Sequence, residues 1–566
     1  QGMAPMFRRE FDLLKPVKRA RAYVTGLGYY ELYLNGERVG DRVLDPSYTS
    51  FGKRVLYSAY DVTEMLRQGR NAVGAMIGKG WYTGEPCLLL QLNVEYEDGT
   101  SSSITTSADW KYSWGPILEN SLYHGETYDA RLEQPGWNEA GFDDSSWLNV
   151  KTINPPTKTL SAQMIQPIRV VEDIKPKKVT NPSPGVWVFD FGQNFSGWCR
   201  LKVTGPAGTE VALKHAEILY PDGTVNQENL RSARATDRYI LKGNGVEMWE
   251  PRFTYHGFRY VQVEGFPGKP NFDSLLGRVV HTSFGWKGSF KCSNELINQI
   301  QSNSVWGFRT NFHSIPTDCP QRDERQGWMG DAHVSADAAL YNFDIVPAYT
   351  KFLQDIQDAQ GPNGEVPDTV PHVWGGNPGD PMWAAAYHFI TWDVYRHTGD
   401  RQLLLKHYEN LKAYTDLLIR ETKESYIIKR NSYGDWLSVE DTPRDLISTG
   451  GFYRCTWLTA RMAEVLGKRT DAAKYEEVCS KIADAFNRQF FHPEQNTYGN
   501  GSQFSNVWPL YLDIVPQDKR KAVVENLVRN IVEKHKGHLS TGFLGTRYLL
   551  DVLCSEGYAD VAYTIV

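Results

Sequence analysis

The hydrophobic pattern of this chain changes period once, and that change limits its architecture more than any other feature. Before about residue 287, apolar side chains recur at every second position; from Ser289 onward they recur at a spacing near 3.6. A spacing of two puts alternate side chains on opposite faces of a strand, whereas 3.6 gathers them on one side of a helix. The chain therefore reads as a β-rich first half and a helical second half. At 566 residues it also exceeds what one hydrophobic core serves, so several domains are expected.

Within the β half, Tyr30, Leu32 and Leu34 alternate with Glu31 and Tyr33 ahead of Asn35-Gly36, and Leu90, Leu92, Val94 and Tyr96 alternate ahead of Asp98-Gly99. Both patterns predict antiparallel strands closed by tight turns. The stretch from Pro135 to Trp147 reads as loop, and Pro155-Pro156 marks a boundary, giving a first β-sandwich over residues 1–165. A second sandwich, over residues 166–287, is expected from strands at Val186–Phe189 and Tyr260–Val263 and a turn at Pro221-Asp222-Gly223. The helical domain covers residues 288–566. Its expected first N-cap is Ser293, ahead of Leu296, Ile297 and Ile300. Leu404, Tyr408, Leu411 and Leu418 share one helical face, as do Tyr475, Val478, Ile482 and Phe486. Many such helices joined by polar loops predict a toroid or solenoid whose site lies where loops converge. The final helix, from Tyr558, stops at Val566 without a Gly, Asn or basic last turn, so the domain reads as C-terminally incomplete.

Composition narrows the function. The net charge of -6 comes from interleaved acidic and basic residues, with no basic stripe for nucleic acid and no polybasic membrane segment. No apolar run is long enough to insert in a membrane. The seven cysteines form no C-x-x-C pair and no regular spacing, which argues against a zinc site or a disulfide scaffold and predicts mostly buried thiols. Aromatic residues reach 13%, with 17 Trp and 31 Tyr; flat apolar rings suit the C–H faces of sugars, although most will belong to the cores.

The densest polar cluster runs from Thr317 to Asp331 and contains Asp318, Arg322, Asp323, Glu324, Arg325, Trp328 and Asp331. Pro320, Gly327 and Gly330 keep it from being a regular helix, so it reads as an irregular loop feeding a helix near Asp331. Glycoside cleavage needs a carboxylic acid beside the leaving oxygen, and crowded carboxylates are one way to keep a group protonated. Arg322 and Arg325 act in the opposite sense, so at least one should face an Asp or a sugar hydroxyl; the sequence leaves open which. On composition alone, a charged surface loop laced by short-range ion pairs fits equally well.

The run from Asp318 through Arg325, followed by Gly327-Trp328 and Asp331, resembles the signature of the bacterial α-L-rhamnosidases, glycoside hydrolase family 78. Similar segments extend along the chain: Tyr123-His124-Gly125-Glu126, Asp190 to Asn194, Thr254 to Tyr260, Trp374-Gly375-Gly376, Gly379 to Trp383, and Gly434 to Leu437. The resemblance implies N-terminal antiparallel β-sandwich domains followed by an (α/α)6 toroid that holds the active site. It implies that Glu324 is the general acid, that Asp318, Arg322 and Asp331 bind sugar hydroxyls, and that Trp328, Trp383 and Trp436 wall a rhamnose pocket. No metal or other cofactor is implied, and the expected partner is a rhamnose-containing glycan or glycoside. A periplasmic or secreted location is expected, with the cytoplasm left open.

The family inverts anomeric configuration, which requires a second carboxylate as base. The resemblance places that base beyond Val566; Asp331, Glu440 and Asp441 are the internal alternatives. The loop from Gly80 to Pro86 is shorter than the family's usual one. Two other readings remain: a toroid enzyme of different specificity, for which His313 is the nearest lyase-type base, and a non-catalytic rhamnose- or glycan-binding protein.

Overall fold

The computed structural model describes residues 2–566 and divides into two compact units. The first comprises the chain up to Phe284 together with Ser302–Arg325; the second comprises Gly285–Gln301 and Gln326–Val566.

The first unit is built from β-sheets. A six-stranded sheet centred on Pro5–Leu13, Gly69–Gly78 and Tyr29–Leu34 faces a five-stranded sheet centred on Val17–Leu27 and Cys87–Tyr96. Leu90 and Leu92 lie opposite Val24 and Ala22 in register, so the alternation read in the sequence places one row of side chains between the sheets. That row meets Leu32, Leu34, Val73, Ala75 and Ile77 from the facing sheet in one apolar core. The other face of Tyr29–Leu34 is covered as well. Glu31 on that face is buried, and its carboxylate is met by Arg252 at 2.7 Å, Arg38 at 3.3 Å and the Tyr33 hydroxyl at 2.6 Å.

The covering layer is a ten-stranded sheet whose spine is the 19-residue strand Val186–Thr204. This strand changes partners along its length, pairing with Lys178–Ser183, His256–Glu264, Leu275–Thr282 and Val246–Trp249. Gly197 permits one of these close approaches, since a Cβ there would lie 1.8 Å from the Arg278 carbonyl oxygen. Strands Ile117–Ser121 and Gly125–Asp129 belong to this sheet, the latter running parallel to Thr236–Ile240. Trp137 and Trp147, carried by the loop after them, supply core rings.

The second unit is helical, and burial distinguishes two kinds of helix. Arg444–Leu466 is buried on nearly every side, whereas Arg469–Phe490 buries the single stripe containing Tyr475, Val478, Ile482 and Phe486. Ala386–Thr398 and Arg401–Thr422 repeat the contrast, the latter burying Leu404, Tyr408, Leu411 and Leu418. A helix buried all round belongs to an inner layer and an amphipathic one to an outer layer. Each inner helix ends on a left-handed glycine, Gly399 or Gly467, and the outer helix starts two residues later. These are the hairpins of an (α/α)6 toroid. The first helix, Glu295–Thr310, is capped by Asn294, whose Oδ1 accepts the amides of Leu296 and Ile297, and not by Ser293. Both residues are competent caps and adjacent, so pattern alone picks the wrong one. Leu296 and Ile300 are exposed. Among the described residues, all seven cysteines are free thiols, four of them buried, and no helix is long and apolar enough to cross a membrane.

His313 is a packed core residue of the β-rich unit. Its ring stacks on Tyr255 at 4.0 Å, and its Nε2–H donates to the Val280 carbonyl at 2.9 Å. Burial, assisted by His281 and Arg325, pushes its pKa down from 6.5 to about 3. Below the ordinary value the unfolded chain takes up a proton that the folded chain refuses, so this contribution to stability is lost as pH falls from about 6.5 towards 3. The melting temperature of His313→Phe relative to the parent should therefore rise between pH 7 and pH 4, measured by thermal unfolding in matched buffers; a difference independent of pH would refute the assignment.

Candidate functional site

In the β-rich unit, residues 311–325 follow the helix Glu295–Thr310 without regular structure, as Pro316 and Pro320 require. Two arginines in this stretch take opposite roles. Arg322 turns to the carboxylates, its Nη2 lying 3.0 Å from Glu324 Oε2 and 3.3 Å from Asp318 Oδ2. Arg325 adopts a left-handed backbone, φ 57°, and is fully buried. Its Nη1 donates to the carbonyls of Leu122 and Tyr255, both at 2.6 Å, while Nη2 and Nε donate to the carbonyls of Gln321 and Arg322, both at 3.1 Å. The guanidinium also lies over the rings of Tyr255 and Tyr123. The Tyr123 hydroxyl in turn donates to the Glu324 carbonyl at 2.8 Å. Arg325 thus staples the loop to the ten-stranded sheet.

Glu324 is 8% exposed. Its Oε2 accepts Arg231 Nη2–H at 2.9 Å and has an ion-pair contact with Arg322, while Arg231 Nε–H donates to Asp323 Oδ1 at 2.6 Å. Asp323 accepts the Ser232 amide and hydroxyl as well. Burial would raise the Asp323 carboxyl, but Ser232 and Arg231 outweigh it and hold the pKa below the ordinary range. Asp318, Cys319 and Glu324 offer ligand atoms within 4.8 Å of one another, but the cation set among these carboxylates is already the Arg322 guanidinium.

The helical unit brings together the three predicted tryptophans around a residue the sequence did not single out. Tyr433 lies 5.8 Å from Trp328, 4.5 Å from Trp383 and 6.2 Å from Trp436, and Phe543 joins Trp383 at 5.6 Å. Trp383 is buried and Trp436 half-exposed. Buried carboxylates fix the backbones that carry these rings. Asp368 accepts the amides of Gly376 and Asp380, both at 2.6 Å, and the Tyr433 hydroxyl at 2.7 Å. Asp380 accepts Met382 N–H at 2.9 Å, capping the turn Pro381–Ala384 that holds Trp383, and also Ser432 N–H at 2.5 Å. Asp435 accepts Gly542 and Gly545 N–H at 2.7 and 3.0 Å, tying the Trp436 segment to the start of the helix Phe543–Ser555. Burial raises the Asp380 carboxyl and raises Asp435 to about 6, against the pull of these amides.

Trp328 precedes the helix Met329–Asn342, and its segment pairs with Asp368–Val370 through Met329 N–H to Asp368 O and Val370 N–H to Gly327 O, both 2.9 Å. Asp331 is exposed in the first turn of that helix. Glu440 is held by Lys534 and by His535 at 3.2 Å, and Asp441 is exposed. The missed residues Tyr433 and Tyr123 each fall within or beside a quoted motif, whereas nothing local marks Asp368 or Arg231.

Gly330 makes room for Trp383, because a Cβ there would lie 2.5 Å from the indole. An alanine in a helix is ordinarily favoured over glycine by about 1 kcal/mol, but overpacking a rigid buried ring costs about 1–3 kcal/mol. Gly330→Ala should therefore lower the melting temperature and alter the near-ultraviolet circular dichroism of the tryptophans; a stabilised protein with an unchanged spectrum would contradict this packing.

Three family models match consecutive parts of the chain. Residues 15–172 match the α-L-rhamnosidase N-terminal domain, 180–281 the bacterial α-L-rhamnosidase concanavalin-like domain, and 286–566 the bacterial α-L-rhamnosidase six-hairpin glycosidase domain. A curated α-L-rhamnosidase of Streptomyces avermitilis is 45% identical over 100% of this chain, which spans 56% of that relative's length. A solved S. avermitilis α-L-rhamnosidase, complexed with L-rhamnose, superposes with a TM-score of 0.96 at 45% identity, covering 99% of this chain and 56% of that one. The α-L-rhamnosidase of Dictyoglumus thermophilum gives a TM-score of 0.98 at 48% identity, covering 100% and 65%. That of Aspergillus terreus gives 0.94 at 34% identity, covering 100% and 68%. The chain belongs to the bacterial α-L-rhamnosidase family, glycoside hydrolase family 78.

Proposed function

We propose that this protein acts in the hydrolysis of terminal α-L-rhamnosides, on rhamnose-containing glycans or glycosides, with Glu324 as general acid. The observation that carries the reading is the placement of Glu324: a nearly buried carboxyl crowded by Asp318, on a loop stapled by a buried arginine. The S. avermitilis relative complexed with L-rhamnose supports the sugar.

In this mechanism Glu324 gives its proton to the glycosidic oxygen as the bond to the anomeric carbon breaks. Positive charge develops on the ring, and water adds from the opposite face while losing a proton to a second carboxylate. The aglycone leaves as an alcohol and rhamnose appears with inverted configuration. Asp318, Arg322 and Asp331 are proposed to bind sugar hydroxyls. Trp328, Trp383 and Trp436 are proposed to offer apolar faces, which suit the 6-deoxy methyl group of L-rhamnose.

Aryl α-L-rhamnoside should be turned over while aryl α- and β-D-glucosides are not, and Glu324→Gln should lose about 10²- to 10⁴-fold in kcat, the usual worth of a general acid. Preference for a glucoside would refute the specificity, and full activity of the variant would refute the role of Glu324.

A further inference from the structure

The segment Trp374-Gly375-Gly376 of the helical unit stands outside the aromatic cluster around Tyr433, yet it hangs from the same buried residues. Thr369 Oγ1 accepts the amides of Val373 and Trp374 at 3.3 and 3.2 Å, and the hydroxyl donates to the Trp374 carbonyl at 2.7 Å. Asp368 holds the other side of the turn: its N–H donates to the Gly376 carbonyl at 3.0 Å, and its Oδ2 accepts Gly376 N–H at 2.6 Å. Gly375, at φ 79°, lets the turn close, since a Cβ there would lie 2.5 Å from that of Asp368. The same Oδ2 accepts the Tyr433 hydroxyl, and Thr369 is the bridge partner of Trp328. Two adjacent residues thus set where Trp328, Tyr433 and Trp374 stand.

What sets Trp374 apart is exposure. Residues 372–378 all lie at the surface, and at the tip of the turn Val373 is 48% and Trp374 40% exposed. Main-chain groups, Asp368 and Thr369 hold the turn, so its fold does not call on the indole; among the described residues the ring makes no ring contact and its Nε1 no hydrogen bond. An isolated exposed apolar side chain needs no explanation, but a large flat ring held on a fixed turn that shares its anchors with a cluster of aromatic rings is a preorganised binding surface. An indole offers one flat apolar face and one N–H, which suit the C–H face of a pyranose or the face of an aromatic ring.

We propose that Trp374 is a specificity-determining residue: its indole receives the first ring of the group attached to rhamnose, whether that ring is a sugar or an arene. The inference rests on the reading of the tryptophans around Tyr433 as the rhamnose pocket. Trp374 touches no reacting atom; it makes ring-bearing rhamnosides better ligands than those with a small leaving group.

The test is isothermal titration calorimetry in a Glu324→Gln background, which slows turnover, with three ligands: methyl α-L-rhamnoside, phenyl α-L-rhamnoside and an α-L-rhamnosyl-glucose disaccharide. Adding Trp374→Ala should weaken one or both ring-bearing ligands by about 3- to 10-fold relative to the methyl glycoside, the worth of one ring contact, and the ligand that weakens identifies the kind of ring. Trp374→Phe, which keeps a ring, should lose less than Trp374→Ala. Equal losses for all three ligands, no loss for any, or a loss as large in Trp374→Phe as in Trp374→Ala would overturn the proposal. Trp436→Ala, run alongside, separates the two ideas, because it should weaken the methyl glycoside as well. If it does and Trp374→Ala shows no dependence on the ring, only the role of Trp374 falls. If Trp436→Ala leaves the methyl glycoside untouched, or the background protein binds none of the three, the rhamnose pocket falls and this proposal with it.

Discussion

The guanidinium of Arg325 is the interaction on which the carboxylate loop depends. A buried cation costs several kcal/mol unless its donors are satisfied, and here four backbone carbonyls and two aromatic rings satisfy it, with no carboxylate partner among the described residues. Because those carbonyls belong both to the loop and to the sheet-forming region around Leu122 and Tyr255, solvating the charge and fixing the loop are the same event. The neighbouring Glu324 inherits that rigidity through its backbone.

The helical unit uses the opposite charge for the same purpose. Asp368, Asp380 and Asp435 are buried, and each accepts backbone amides from segments distant in sequence. Every one of these anions is a junction between loops that carry Trp328, Trp383, Tyr433 or Trp436. Loops with little apolar surface cannot be held by packing alone, so charged side chains satisfied by main-chain groups take over. These junctions hold the ring faces of the helical unit in place.

Much of this was legible in the sequence, for identifiable reasons. The change of period separates sheet from helix because backbone geometry alone sets it, and the stripes at Leu404 and Tyr475 appear as the buried faces of outer helices. The polar run around Glu324 is dense enough to mark a site and long enough to carry a family resemblance. What pattern does not reveal is direction. Arg322 and Arg325 sit equally close to carboxylates in sequence, and only the left-handed turn at Arg325, together with carbonyls contributed from around Leu122 and Tyr255, sends one inward and the other to Glu324. Arg231, Asp368 and Tyr433 were missed because their partners are tertiary. The N-cap was misplaced by one residue because Ser293 and Asn294 are both competent.

Hydrogen exchange across Gln321–Arg325, compared between the parent and Arg325→Met, tests most directly whether this one buried charge holds the site. The variant leaves four carbonyls without their donor, at an expected cost of about 3 kcal/mol or more. These amides should be protected in the parent and exchange far faster in the variant, while the strand His256–Glu264 stays protected in both. Equal protection of the loop in the two proteins would show that Glu324 is held by something other than Arg325.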